Sequence, residues 1–105
     1  LLDALDPTQQ SDDAVKAARA VLHFARILQA PDDTDVVQSA RVRAARNLLA
    51  QQFASGFDDL LQVMQRNRRF GVGQGREDML QAFALAPATD PSVLAARRKL
   101  AALLN

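Results

Sequence analysis

The residues of this 105-residue chain whose types could do chemistry are one histidine, three pairs of adjacent aspartates, a glycine-spaced stretch and two arginine clusters. His23 sits inside an apolar run, Val21-Leu22-His23-Phe24-Ala25. With no cysteine in the chain and no glutamate near it, His23 cannot assemble a metal site of normal ligand number. No serine or threonine has a histidine–acid partner set that would activate it as a nucleophile. His23 therefore reads as a satisfied or solvent-edge side chain. The aspartate pairs 12–13, 32–33 and 58–59 could in principle divide acid and base roles. Adjacent residues on a helix point in different directions, however, and all three pairs fall at predicted helix starts, where capping and the helix dipole account for them. Gly71-x-Gly73-x-Gly75 faintly resembles a phosphate-binding loop. The dinucleotide fingerprint needs a different spacing and a strand in front of it, so this stretch is predicted to be a flexible connector. The residues carry no catalytic, metal-binding or cofactor-binding assignment, and no cofactor is expected.

Arg66, Arg68 and Arg69 with Arg76, and Arg97-Arg98-Lys99, could neutralise phosphates. Tyr and Trp are absent, so no aromatic platform for unpaired bases accompanies them. A small helical nucleic-acid-binding domain using these arginines is the alternative functional reading. The formal charge of +1 conceals an asymmetry: residues 1–35 carry a net −4 and residues 36–105 a net +5. Such a dipole could steer a partner, or simply be a solvated surface. Leu100, Leu103 and Leu104 give the chain an apolar end. They either fold inward on the last hairpin or, with Arg97 and Arg98, form a docking surface laid into a partner's groove.

The elements that must position these residues are all helices. Apolar residues recur at helical spacing throughout, and the apolar half of the chain is rich in alanine, the best helix former. Asp6-Pro7 is predicted to break a preceding helical end, Leu1 to Leu5. A first helix is predicted over about 12–29, capped by Ser11, with Val15, Ala18, Val21/Leu22, Ala25 and Leu28 as its stripe and Phe24 and Ile27 widening it. Asp32-Asp33-Thr34 signals the next start. A second helix runs to about Phe53, with Val37, Ala40, Ala44, Ala45, Leu48, Leu49 and Phe53 inward. Ala54-Ser55-Gly56 reads as a tight turn, with Gly56 supplying a left-handed residue. Phe57, Leu60, Leu61 and Met64 then form the stripe of a third helix, with Arg66, Arg68 and Arg69 in its last turn. Met79, Leu80 and Phe83 are the buried face of a short fourth. Asp90-Pro91 is the strongest start signal, a cap followed by proline at the first helical position, and Val93/Leu94, Leu100 and Leu103/Leu104 run along the final helix.

Short breaks between helices force antiparallel neighbours. The expected fold is all-α: antiparallel helix hairpins forming a tetratricopeptide-like α-solenoid fragment of about five helices, a single helical-repeat domain over residues 1–105. Taking 33–67 as one unit gives roughly the tetratricopeptide period. With no cysteine there is no disulfide or thiol chemistry, which fits a reducing compartment, and a cytoplasmic location is expected. No run approaches the roughly 20 apolar residues of a membrane span, and no signal peptide is visible. The chain begins with leucine, and is expected to be a processed product or an excised piece of a longer protein.

Phe57-Asp-Asp-Leu-Leu, Met64-Gln-Arg-Asn-Arg-Arg-Phe70, Gly75-Arg-Glu-Asp-Met-Leu-Gln-Ala-Phe83 and Asp90-Pro-Ser-Val-Leu-Ala-Ala-Arg97-Arg98-Lys99-Leu100-Ala-Ala-Leu103-Leu104 follow one another in an order that resembles the C-terminal end of the bacterial thioredoxin-like co-chaperones, or chaperedoxins. Arg97, Arg98, Leu100, Leu103 and Leu104 fall on that family's closing motif. Asn67, Gly75, Ala96 and Asn105 depart from its usual acid, alanine, tyrosine and terminal aromatic. The resemblance covers roughly residues 40–104. It implies a helical-repeat interaction module that binds unfolded or oxidised client proteins and passes them to chaperonin or Hsp70-type chaperones. It also implies a thioredoxin-fold domain on the N-terminal side, outside this sequence. No catalysis is expected in the segment itself.

Overall fold

A computed structural model describes residues 7–29 and 35–105, with side chains from residue 12 onward. Among them there are helices and no strands. α1 is Pro7–Gln29, α2 Val36–Leu49, α3 Phe53–Arg66, α4 Arg68–Phe70, α5 Arg76–Leu85 and α6 Pro91–Leu104. A π-helical turn, Gly71–Gly75, joins α4 to α5 with helical backbone angles on both sides, so these three pieces make one rod and the described chain makes five. α2 and α3 form the tightest hairpin. α1 packs across α2 and α5, and α6 packs on α3.

The core is one cluster. Phe57, Leu60, Leu61 and Met64 of α3 are its centre, as their spacing predicts, and Ala40, Ala44, Ala45 and Leu48 of α2 close over them. Ala at three of these four positions lets the two helix axes approach closely. Phe24 and Ile27 reach in from α1, Met79 and Ala82 from α5, and Val93, Ala96 and Leu100 from α6. No described buried side-chain nitrogen or oxygen lacks a hydrogen-bond partner.

Several boundaries differ from the sequence reading, each for a physical reason. α1 begins at Pro7, which takes the first helical position where its missing N–H costs nothing. Ser11 is therefore inside the helix, and Asp12-Asp13 do not start it. The reading of Leu1–Leu5 and the pair Asp32-Asp33 lie outside the described residues. Asp35 caps α2, its Oδ1 accepting from Val37 N at 3.1 Å. Asp58-Asp59 sit a turn inside α3 and reach outward instead: Asp59 accepts from Asn47 Nδ2 at 2.7 Å, and Lys99 Nζ lies 3.9 Å from Asp58. Arg66 ends α3 as expected, but Asn67 breaks the helix and caps the next one through Phe70 N at 3.0 Å, so Arg68 and Arg69 open a new turn. The glycine stretch is not a flexible connector. Gly71 and Gly75 are buried against Met64 in the π turn.

The turn between α2 and α3 lies at Ala50–Gln52, not at Ala54-Ser55-Gly56. Gln51 takes the left-handed conformation (φ 65°), the Gln52 N–H donates to Asn47 O at 2.7 Å and the Gln51 N–H to Leu48 O at 3.1 Å. This is the paired closure of a Schellman motif, built on glutamine where glycine is usual. Gly56 lies inside α3 and has another task. A Cβ there would sit 2.5 Å from Leu48 Cγ, and Leu48 is fully buried and has nowhere to go. The two positions should respond oppositely. Gln51→Gly relieves a left-handed side-chain clash and is expected to stabilise by up to about 1 kcal/mol. Gly56→Ala overpacks the hairpin at a cost of about 1–3 kcal/mol, against a helix-propensity gain of at most about 1 kcal/mol. Urea titration of both variants checks the signs.

Asp90 caps α6 as its sequence indicates: Oδ1 accepts from Ser92 Oγ at 2.6 Å and from Ser92 N at 2.9 Å. The side-chain bond first, then the backbone bond, holds the Asp90 carboxyl below the usual carboxylate range. A depressed folded-state pKa means that the cap stabilises above the unfolded value of about 4 and loses that contribution as pH falls through the folded value. The stability gap between wild type and Asp90→Ala should accordingly be constant near neutrality and shrink in acid.

Candidate functional site

The most elaborate polar arrangement centres on Asp78, a residue to which the sequence reading gives no role. Its side chain is fully buried. Arg41 of α2 grips it with both arms, Nε donating to Oδ2 at 2.7 Å and a terminal guanidinium nitrogen to Oδ1 at 3.1 Å. The His23 Nε2–H of α1 donates to Oδ1 at 2.8 Å, and Gln74 Nε2 of the π turn donates to the same oxygen at 3.0 Å. One carboxylate thus ties three helical rods together. The His23 reading as a satisfied side chain holds, and its partner is now identified. Arg41, though it lies off the apolar stripe of α2, is largely covered. The π turn matters here because its extra residue re-phases α5. Asp78, Met79 and Ala82 face inward, while Leu80, expected to be buried with Met79 and Phe83, is exposed. Gln74 and Asp78 are four residues apart on one helix face. That spacing is the one signal in the sequence that could have pointed to the pair.

An open cleft of about 490 Å³ shares these residues. Arg19, Leu22, His23 and Arg26 of α1 line one side, with Arg41 and Gln74 opposite. Arg41 is neutralised by Asp78. Arg19 and Arg26 have no ion pair among the described residues, so the cleft carries excess positive charge.

The residues singled out on α6 do not form one continuous patch. Leu100 is buried in the core. Leu103 and Leu104 are half-buried against it and border a small recess with Met64, Arg68, Gly71 and Val72. The Arg97 guanidinium lies over the Phe83 ring, 4.6 Å from its centroid, a cation–π contact that occupies its charge intramolecularly. Arg98 is exposed. On the other side of α6, a groove of about 150 Å³ runs against α3, with Ala54, Phe57, Leu61, Ala95 and Ala96 among its walls and Asp58 and Lys99 at its rim. Arg66, Arg68, Arg69 and Arg76 are exposed and have no ion pair among the described residues. No helix among the described residues is long and apolar enough to cross a membrane.

Comparison with known proteins returns one family model, described as a tetratricopeptide repeat, which matches residues 23–105. No curated protein and no solved structure matches the chain.

Proposed function

The chain belongs to the tetratricopeptide-repeat family, and on that premise we propose that it is the protein-binding repeat region of a thioredoxin-like co-chaperone of the cytoplasm. Tetratricopeptide repeats generally mediate protein–protein interaction and are typically non-catalytic. In this reading a thioredoxin-fold domain precedes residues 1–105 in the whole protein. The repeat region engages unfolded clients and hands them to chaperonin or Hsp70-type chaperones. Arg98, Leu103 and Leu104 are the contact residues on α6, with Arg97 and Leu100 holding that helix in place from the Phe83 ring and the core.

The observation that supports this assignment most directly is the end of α6. Leu103 and Leu104 are only half covered, and a recess opens beside them next to exposed Val72. A partner helix or extended segment could complete that burial. The test is capture of chaperonin and suppression of client aggregation by the protein with its N-terminal domain, comparing wild type with Leu104→Asp. At least a tenfold loss of capture is expected, with the melting curve as a control for folding. Failure of the wild-type protein to associate with any chaperone or client would sink the proposal. The nucleic-acid alternative draws on the uncompensated Arg66, Arg68 and Arg69. Duplex-DNA binding that weakens steeply with added salt would favour it.

A further inference from the structure

The stripe that the sequence offers as the core face of α1 points the other way. Ala20, Phe24 and Ile27 are the residues buried. Val15, Val21, Leu22 and Leu28 are 46%, 42%, 54% and 37% exposed, too much apolar surface on one helix to be scattered by chance. Their spacing is ordered. Val15, Leu22 and Gln29 recur every seven residues with Ala18 and Ala25 between them, which are the a and d positions of a heptad seam. Val21 and Leu28 flank the seam on one side. Arg19 and Arg26, seven apart and about 10 Å along the axis, flank it on the other. Both arginines also edge the cleft beside His23 and Arg41.

We propose that this outer face of α1 is a docking site for an amphipathic helix of another protein, one that carries small or aliphatic residues along its seam and two acidic residues seven positions apart on the side facing Arg19 and Arg26. Charge decides the occupant. Flanking positions of paired helices face one another and set partner choice through ion pairs. Arg19 and Arg26 have no ion pair among the described residues, no carboxylate is among the residues that line the cleft, and Asp78 behind it is already taken by Arg41, His23 and Gln74. A second copy of this chain satisfies them only in part. Paired antiparallel about Arg19, α1 would set Arg26 against Asp12 of the other copy but Arg19 against its own copy, and in the register one heptad on it would set Arg19 against Arg26. Paired parallel, it would set them against Val21 and its equivalents, with no counter-charge. An acidic helix supplies the missing charge and covers Leu22 and Val15 in the same act. The absence of Tyr and Trp argues against stacked bases as the occupant.

This inference rests on the reading of the chain as a protein-binding module, but it uses a face far from the end of α6 in sequence and separately testable. The probe is a stapled, monomeric helical peptide with leucine at its a and d positions and glutamate at two flanking positions seven apart. Its twin carries lysine at those two positions. Fluorescence anisotropy with the full chain at low salt should show the glutamate peptide binding at least ten times tighter than the lysine twin, with the difference closing as salt is raised. The exposed double substitution Arg19→Glu/Arg26→Glu should reverse the preference without changing the circular dichroism spectrum. Absence of binding, equal binding of the two peptides, or a preference that the double substitution leaves in place would overturn the proposal. So would a dimer in light scattering that Leu22→Asp abolishes, since the face would then belong to a second copy. Leu104→Asp should leave peptide binding intact. In the wild-type protein, peptide binding without client capture counts against the α6 reading alone, and client capture without peptide binding counts against this one alone.

Discussion

Leu60→Asp is expected to remove most of the stability of the fold. Leu60 is fully buried at the centre of α3, between α2 and the helices that follow. The substitution gives up about 2–3 kcal/mol of apolar burial and places a carboxylate where no cation can reach it. Together these amount to about 5 kcal/mol or more, against a total of about 5–15 kcal/mol for a domain of this kind. Thermal and urea unfolding should show either a collapse of the melting temperature or a chain that is unfolded at the outset. An unchanged melting curve would mean that α3 is not the centre of the core. Leu94→Asp, at a position 56% exposed on α6, is the matched control and should change little.

The second large effect is expected at Asp78. Replacing it with alanine leaves the Arg41 guanidinium, only 18% exposed, without its two-armed acceptor, and strips His23 and Gln74 of theirs. Removing one partner of a buried pair costs about 3–5 kcal/mol; the partial exposure of Arg41 and His23 puts Asp78→Ala at the lower end, about 3 kcal/mol. The cost lies in the orphaned donors more than in the lost attraction. Asp78→Leu combined with Arg41→Met should therefore recover much of what either single change loses. A double-mutant cycle between positions 41 and 78 gives the coupling directly. Additive losses would show that the two side chains do not depend on each other.

The fold was legible where large side chains repeat at helical spacing. Phe57, Leu60, Leu61 and Met64 admit one face and no other, and Asp90-Pro91 admits one start. α1 was harder because it is apolar around most of its circumference. Ten of its residues between 15 and 28 are Ala, Val, Leu, Ile or Phe, so a helical period fits two opposite stripes. Local periodicity cannot choose between them. The choice is made by Phe24 and Ile27 finding space under α2, and by His23 reaching Asp78. Gly56 was misread because glycine serves both as a left-handed turn residue and as a contact point, and the sequence does not say which. The turn itself uses Gln51, which carries no turn signal. Asp78 was hidden because an acid in the first turn of a helix already has a reason to be there. The tetratricopeptide character of the chain could be read from hairpin spacing. The resemblance to co-chaperones rests on residue order alone.

The Asp78 arrangement also has a kinetic meaning. A stack of helix hairpins can start folding anywhere, because each contact joins neighbours in the chain. His23 and Arg41 lie 55 and 37 residues before Asp78. Their clasp can close only after α1, α2 and α5 have been brought together. Energy that arrives after the rate-limiting step does not hasten folding; it slows unfolding. A carboxylate that closes last would act as a latch, and the expected result is that Asp78→Ala speeds unfolding more than it slows folding, which stopped-flow folding and unfolding rates check.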